Sequence, residues 1–409
     1  MVLLNEITCA WCWRQFSPLQ IRFISESIHL RGDALAGSSE GVRFSAMRFD
    51  PEGNALDPDG ARCNRLACPH CHGEIPRALL ELPTVPISIV GAPSSGKTNL
   101  LASGLWRMSQ LANDMGIDWL DTDPRFNELI HTNQASLFLS EPTVQNIVLT
   151  KTDTGGDALY RPVTIAGVVE SAPRPAFYTA GRMSDSARVV VEVYDNAGEH
   201  FMHGQAAAKF ETSTRHLLRS SAIILVFDPL QHIKFRQRFA PDRDGAGTNH
   251  QRQELVFSTV VSQLRRLRGL SAVEPIPVPV IVALSKADVW GASVLGADWD
   301  SLVSRRGAIG SLDVLLEGAT RMSRALRDVL AQVAPEFVGS VEALTNRAWF
   351  VPVSALGTDP KIDAEGNSVL RTSDVRPVWA EVPFALALTV AAVEPLKLQK
   401  DGVFTQSLA

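Results

Sequence analysis

The run Gly91-Ala92-Pro93-Ser94-Ser95-Gly96-Lys97-Thr98 constrains this chain more than any other, since it meets every fixed position of G-x-x-x-x-G-K-[ST]. Such a loop works only between a strand and a helix. Val85 to Val90 is an apolar, β-rich run, and from Asn99 to Met115 the residues Leu101, Leu105, Met108, Leu111 and Met115 recur at helical spacing. Glycines let backbone N–H groups turn inward around phosphate oxygens, and the helix N-terminus adds positive potential there. The expected ligand is a nucleoside triphosphate. Gly91, Ser94, Ser95 and Gly96 would cradle its phosphates, Lys97 would reach the β- and γ-phosphates, and the Thr98 hydroxyl would ligate Mg²⁺.

With 409 residues, the chain is long for one core, so a large domain with an appendage, or two domains, is expected. Hydrophobic residues at 45%, charged residues at 20% and a net charge of -5 describe an ordinary globular chain without a general nucleic-acid footprint. No basic-then-apolar leader opens the sequence, and apolar stretches such as Val382 to Val393 are too short to span a bilayer. The expectation is a cytoplasmic protein with no membrane span.

A break near Leu82-Pro83-Thr84 divides residues 1–82, which hold every cysteine, from residues 83–409, which alternate strand and helix patterns. Strands are expected at Pro162 to Val169, Ala187 to Tyr194, Ser221 to Phe227, Val278 to Leu284 and Ala348 to Val353, near-continuously apolar as in a buried parallel sheet. Helical periodicity covers Phe201 to Leu218, Gln251 to Arg268 and Leu312 to Val333, with Pro383 to Val393 as a closing helix. The fold class expected is α/β: a doubly wound, mostly parallel sheet with a small N-terminal zinc-binding β module. The connections Gly116 to Tyr160 and Leu230 to Asn249 read as long loops. Arg265, Arg266 and Arg268 close a predicted helix, where cations complement the macrodipole, so they read as a helix terminus rather than a nucleic-acid patch.

Three further segments follow predicted strands. Asp195-Asn196-Ala197-Gly198-Glu199 is a D-x-x-G turn, in which Asp195 can hold Mg²⁺ through water and the Gly198 N–H can contact a γ-phosphate. Ser285-Lys286-Ala287-Asp288 and Ser354-Ala355-Leu356-Gly357 also stand at carboxyl ends of strands, the side of an open parallel sheet where ligands bind. The Asp288 carboxylate can accept from two neighbouring guanine N–H groups, which adenine lacks. The Lys286 stem could lie on one base face, and the backbone around Ala355 could meet the base oxygen.

Cys9-x-x-Cys12 and Cys68-x-x-Cys71 form two knuckle-like pairs, a donor set suited to tetrahedral Zn²⁺ that would join distant chain segments. Cys63 is read as a spare, and His70 and His72 as weaker alternatives for ligation. The rival is dithiol redox chemistry at Cys68-Pro69-His70-Cys71, which should open a helix. The breakers in His72-Gly73-Glu74-Ile75-Pro76 oppose one. Trp11 and Trp13 read as packing for the small module. Zinc ribbons bind proteins or nucleic acid, and these residues leave both open.

The four motifs, in this order, resemble the P-loop GTPases of the translation-factor and Ras-like class, over Pro83 to the C-terminus. The cysteine module, the D-x-A-G-E form and the enlarged domain are similar to the bacterial double-GTPase proteins. That resemblance implies a GTP/GDP-dependent switch with Mg²⁺, coupled to a protein effector or activator in a conflict or defence system. It implies Lys97, Gly198 and Glu199 as catalytic, and a switch threonine, with Thr152 or Thr154 favoured over Thr150. Two departures stand out: Ser285 replaces the usual Asn or Thr, and Glu199 replaces the Gln that orients water in Ras-like enzymes, so hydrolysis is less secure than binding. A non-hydrolysing scaffold and an ATPase are the competing readings.

Overall fold

The structure is a computed structural model. It describes residues 3–114, 119–140, 144–146, 163–165, 189–195, 215–242, 253–271, 273–304, 312–362 and 368–391. Its centre is a sheet of six strands: β1 (Thr84–Gly91), β2 (Val163–Ile165), β3 (Val190–Asp195), β4 (Ala222–Phe227), β5 (Val280–Leu284) and β6 (Ala348–Pro352). The spatial order is β2-β3-β1-β4-β5-β6, with β1, β3, β4, β5 and β6 mutually parallel. The chain thus winds to one side of β1 and then crosses to the other. That reversal leaves a crevice at the carboxyl end of β1, the topological switch point where open α/β sheets bind ligands.

The sheet, expected to be mostly parallel, is antiparallel at one edge. Of Pro162 to Val169 the described residues are Val163–Ile165, which form a strand that pairs antiparallel with β3. An edge strand has one partner, so either direction can satisfy its backbone, and apolar composition does not encode the direction.

Helices cover both faces. On one, Leu101, Leu105 and Met108 of α1 (Lys97–Asp114) and Phe384 and Leu388 of a late helix pack on Ile87, Ile89, Ile224 and Ile281. On the other, Phe257, Val260 and Leu264 of α2 (Gln253–Arg268), Trp290 of α3 (Ala287–Leu295) and Phe337 and Val341 of α5 (Pro335–Leu344) pack on Ile223, Leu225, Phe227 and Val282. The long α4 (Leu312–Val333) contributes to both clusters, and the late helix is α6 (Val382–Val390). Burying these apolar faces at about 25 cal/mol per Å² supplies most of the drive for the layered arrangement.

Two connections expected as long loops carry helices: Glu128–Gln134 running on into Ala135–Leu139, and Ile233–Phe239. Each is short, so its periodicity spans barely two turns and is easily lost among polar residues. The expected helix Phe201 to Leu218 lies outside the described residues, except for a 3₁₀ turn at Arg215–Leu218. Arg265 and Arg268 end α2 by donating to backbone carbonyls, Arg265 to Ala343 O at 2.7 Å and Arg268 to Leu218 O at 2.7 Å.

Ahead of β1, short strands build the cysteine-bearing part. Glu74–Ile75, Leu66–Ala67, Arg22–Ile24 and Arg43–Phe44 form an antiparallel sheet in that order, and two hairpins, Arg31–Asp33 with Gly37–Gly41 and Ala55–Leu56 with Arg62–Cys63, fill the interval between the cysteine pairs. Its core of Ile7, Trp11, Phe16, Ile75 and Leu79 packs against Val190 of β3. Among the described residues, no helix is long and apolar enough to cross a membrane.

Candidate nucleotide site and cysteine cluster

The sheet register brings the sequence motifs to one edge. Gly91 aligns with Val226, Phe227 with Leu284, and Leu284 with Pro352, so the segments after β1, β4, β5 and β6 all emerge side by side. Asp195, the last residue of β3, pairs with Ile89 and is buried beside them.

Within the phosphate loop, two positions demand glycine. A Cβ on Gly91 would lie 2.5 Å from Val226 O, and Gly96 holds a φ of +95°. Lys97 is buried and bends back over the loop, its ammonium donating to Gly91 O at 2.9 Å and Ala92 O at 2.7 Å. Those carbonyls hold its charge where a phosphate would compete for it. The Ser95 hydroxyl is buried without a hydrogen-bond partner among the described residues, Ser94 is exposed at a φ of +59°, and Thr98 is half-buried in the first turn of α1.

At the other end, Lys286 adopts the left-handed conformation at φ 56°, and α3 starts directly after it. Two backbone bonds lock the segments together: Val353 N–H donates to Leu284 O at 2.9 Å and Ala287 N–H to Val353 O at 3.1 Å. The Ser354 hydroxyl donates to Asp288 Oδ1 and accepts from Gly357 N–H at 2.8 Å, which orients the carboxylate. Ser285, buried, donates to Phe227 O at 3.4 Å and also lines the crevice.

These segments enclose one cavity of about 320 Å³, within the range of small-molecule sites. Gly96 and Asn99 stand at its phosphate-loop end, and Lys286, Asp288, Ser354, Ala355 and Leu356 line the rest. Asp228, which follows β4, also lines it and was not singled out in the sequence, where an aspartate after a strand reads as an ordinary turn. Gly198 and Glu199, together with Thr150, Thr152 and Thr154, lie outside the described residues.

The cysteine pairs form two turns of matching geometry. In each, the first cysteine's sulfur accepts from the N–H two residues on (Trp11 and His70, both at 3.4 Å) and its carbonyl accepts from the N–H four residues on (Trp13 at 2.9 Å, His72 at 3.1 Å). Trp13 and His72 then share a positive φ of 57° and 60°. The four sulfurs of Cys9, Cys12, Cys68 and Cys71 lie within 4.8 Å of one another, with Cys9–Cys71 at 3.7 Å and Cys12–Cys68 at 3.8 Å. A tetrahedron with metal–sulfur bonds of about 2.3 Å has edges of about 3.8 Å, so the donor set fits Zn²⁺. The histidines are engaged elsewhere: His72 Nδ1 meets Asp33 at 2.8 Å and His70 Nε2 meets Gln15 O at 3.2 Å. Burial alone would raise the Asp33 carboxyl, but His72 and the N–H groups of Leu35, Ala36 and Arg43 outweigh it and hold Asp33 well below the usual carboxylate range. No helix starts at Cys68, as dithiol redox chemistry would require; a strand, Glu74–Ile75, follows instead. Cys63 sits apart in a hairpin beside Asp57. Trp11 is clamped in the module, with Gly73 leaving room for its ring.

No protein-family model matches the chain, and no curated protein matches it. Among solved structures it is similar to sup35 complexed with GDP, at 11% identity and a TM-score of 0.27, covering 70% of this chain and 41% of that one. It is also similar to the Ski7 GTPase-like domain of S. cerevisiae bound to GDP and inorganic phosphate, at 14% identity and a TM-score of 0.26, covering 70% and 46%. An Era variant of Aquifex aeolicus bound to GDP and aluminium fluoride overlaps at 14% identity and a TM-score of 0.24, covering 67% and 52%. The chain therefore spans about half the length, or less, of these structures. The fold stands on its own strand order and loop geometry rather than on these overlaps.

Proposed function

We propose that this chain binds guanine nucleotides and hydrolyses GTP to GDP, acting as a switch coupled to a protein partner. Residues 83–409 would form the nucleotide domain and residues 1–82 a zinc-ribbon-like module. The observation that carries the reading is the single cavity lined at once by Gly96, Lys286, Asp288 and Ser354 to Leu356. It joins the phosphate loop, at Gly96, to the Asp288 carboxylate that Ser354 orients, the two places that the phosphates and the N–H pair of a guanine nucleotide would meet.

In this reading Gly91, Ser94, Ser95 and Gly96 turn the loop around the phosphates, and Lys97 leaves its two loop carbonyls for the β- and γ-phosphate oxygens. Asp288, held by Ser354, accepts the guanine N–H pair, Lys286 covers one base face, and Ala355 and Leu356 border the base oxygen. Thr98 and Asp195 would hold Mg²⁺, with Thr152 or Thr154 completing the set. That ion neutralises charge on the transferring phosphoryl group. Gly198 and Glu199 would meet the γ-phosphate and the attacking water, and a carboxylate at that place favours an arginine supplied by the partner. Cys9, Cys12, Cys68 and Cys71 would hold structural Zn²⁺, and the module would face a protein rather than nucleic acid. A role in a bacterial conflict or defence system is the corresponding biological proposal.

Titration calorimetry of the purified chain with GTP and with ATP, each with magnesium, tests the reading. Heat for GTP and little for ATP is expected, followed by phosphate release in a separate assay. No heat for GTP, or equal heats for both, overturns it. Binding without phosphate release would leave the scaffold reading in place.

A further inference from the structure

The Asp228 carboxylate is fully buried, yet no motif claims it. Its Oδ1 accepts from Leu230 N–H at 3.0 Å, and its Oδ2 accepts from Lys286 Nζ at 2.6 Å and Gln231 Nε2 at 3.3 Å. The Gln231 amide also donates to Pro93 O of the phosphate loop at 3.5 Å. Beneath, the buried Gln253 amide at the start of α2 brackets the Asp228 backbone, accepting from its N–H at 2.8 Å and donating to its carbonyl at 2.7 Å. A carboxylate taken wholly out of water needs a cation and hydrogen-bond donors, and this one has both. Lys286 itself is 42% exposed, with a flexible stem that water alone would leave in many rotamers.

We propose that Asp228 is a positioning residue for nucleotide binding: it pins Lys286 across the base end of the cavity and, through Gln231, ties that end to the phosphate loop. The inference rests on the reading of the cavity as a guanine-nucleotide site. Asp228 fixes the lysine stem before the ligand arrives, so binding does not bear the loss of its rotamer freedom. It also holds the ammonium at one place on the cavity lining. Its part in binding is exerted through Lys286.

The test is the release rate of a fluorescent ribose-labelled GDP from the full-length chain. Asp228→Asn keeps an oxygen for Leu230 N–H and removes the charge; it should speed release about tenfold, as loss of one charge-assisted hydrogen bond does. In a Lys286→Met background the same change should add little, because the residue through which Asp228 acts is already gone. An equal acceleration in both backgrounds, or none in either, overturns the proposal. Should the asparagine variant not fold, Asp228→Glu keeps the charge but moves it by one methylene. It should speed release about threefold, and unchanged release in that variant overturns the proposal equally. The two readings fail separately. A wild-type chain that binds no labelled GDP removes the nucleotide site itself, whereas tight GDP binding with an inert Asp228 removes only its positioning role.

Discussion

The Tyr194 hydroxyl lies 2.9 Å from Glu192 Oε2 while also reaching Ala10 O, at 3.0 Å, in the first cysteine turn. One hydroxyl hydrogen cannot serve two acceptors. Both contacts are satisfied when Glu192 is protonated and donates to Tyr194, which then donates to Ala10. The other carboxyl oxygen, Glu192 Oε1, is buried with no hydrogen-bond partner among the described residues, which also favours the neutral acid.

Burial pushes the Glu192 carboxyl up to about 7, against an ordinary value of 4.5. The folded chain then holds a proton that the unfolded chain releases, so its stabilising effect is complete below about pH 4.5 and is lost as pH rises to about 7. Glu192→Gln keeps a donor for Tyr194 and removes the titration. Between pH 5 and 8 the stability difference should move by about 2 to 3 kcal/mol in the variant's favour, read by urea unfolding. A constant difference across that range would show that Glu192 is charged at both ends of it.

Lys97→Ala removes the only ammonium in the phosphate loop. GTP affinity should fall at least a hundredfold, roughly 3 kcal/mol, by calorimetry with magnesium. Affinity within a few-fold of wild type would place the triphosphate somewhere other than this loop.

Asp288→Asn replaces an acceptor with a group that also donates, which suits xanthine, whose oxygen stands where guanine has its amino group. GTP binding should weaken about tenfold or more while xanthosine triphosphate binding improves. An unaltered preference between the two bases would dissociate Asp288 from base recognition.

Metal analysis of the purified chain should find about one zinc per molecule, and Cys68→Ser should lower that content together with the melting temperature. A folded, metal-free wild-type protein would remove zinc from the account.

The phosphate loop was legible because its glycines and lysine meet steric and electrostatic demands that few other residues can satisfy at that spacing. Strands β4, β5 and β6 were legible because strands of a parallel sheet with helices on both sides are apolar on both faces. Asp228 escaped notice, since its meaning comes from Lys286, separated by two helices and a strand. Glu192 and Tyr194 interrupt the apolar pattern of β3, and the sequence does not say what covers them. The cover is the cysteine turn, whose Ala10 carbonyl reaches Tyr194 from 184 positions away in the chain. The matching turns at Cys9 and Cys68 follow from donor spacing, whereas the packing of that module on β3 is a tertiary fact with no local signal.

The alternation along β3 sets Val190, Glu192 and Tyr194 toward the cysteine turn and Val191, Val193 and Asp195 toward the opposite layer. A single-residue insertion in this strand would exchange the two sets, dropping a valine where the Ala10 carbonyl waits and turning Asp195 away from the layer it faces. Only a two-residue change preserves the facing. The strand's length is therefore governed from both sides at once, and deletions here should be far less forgiving than in the hairpins between the cysteine pairs.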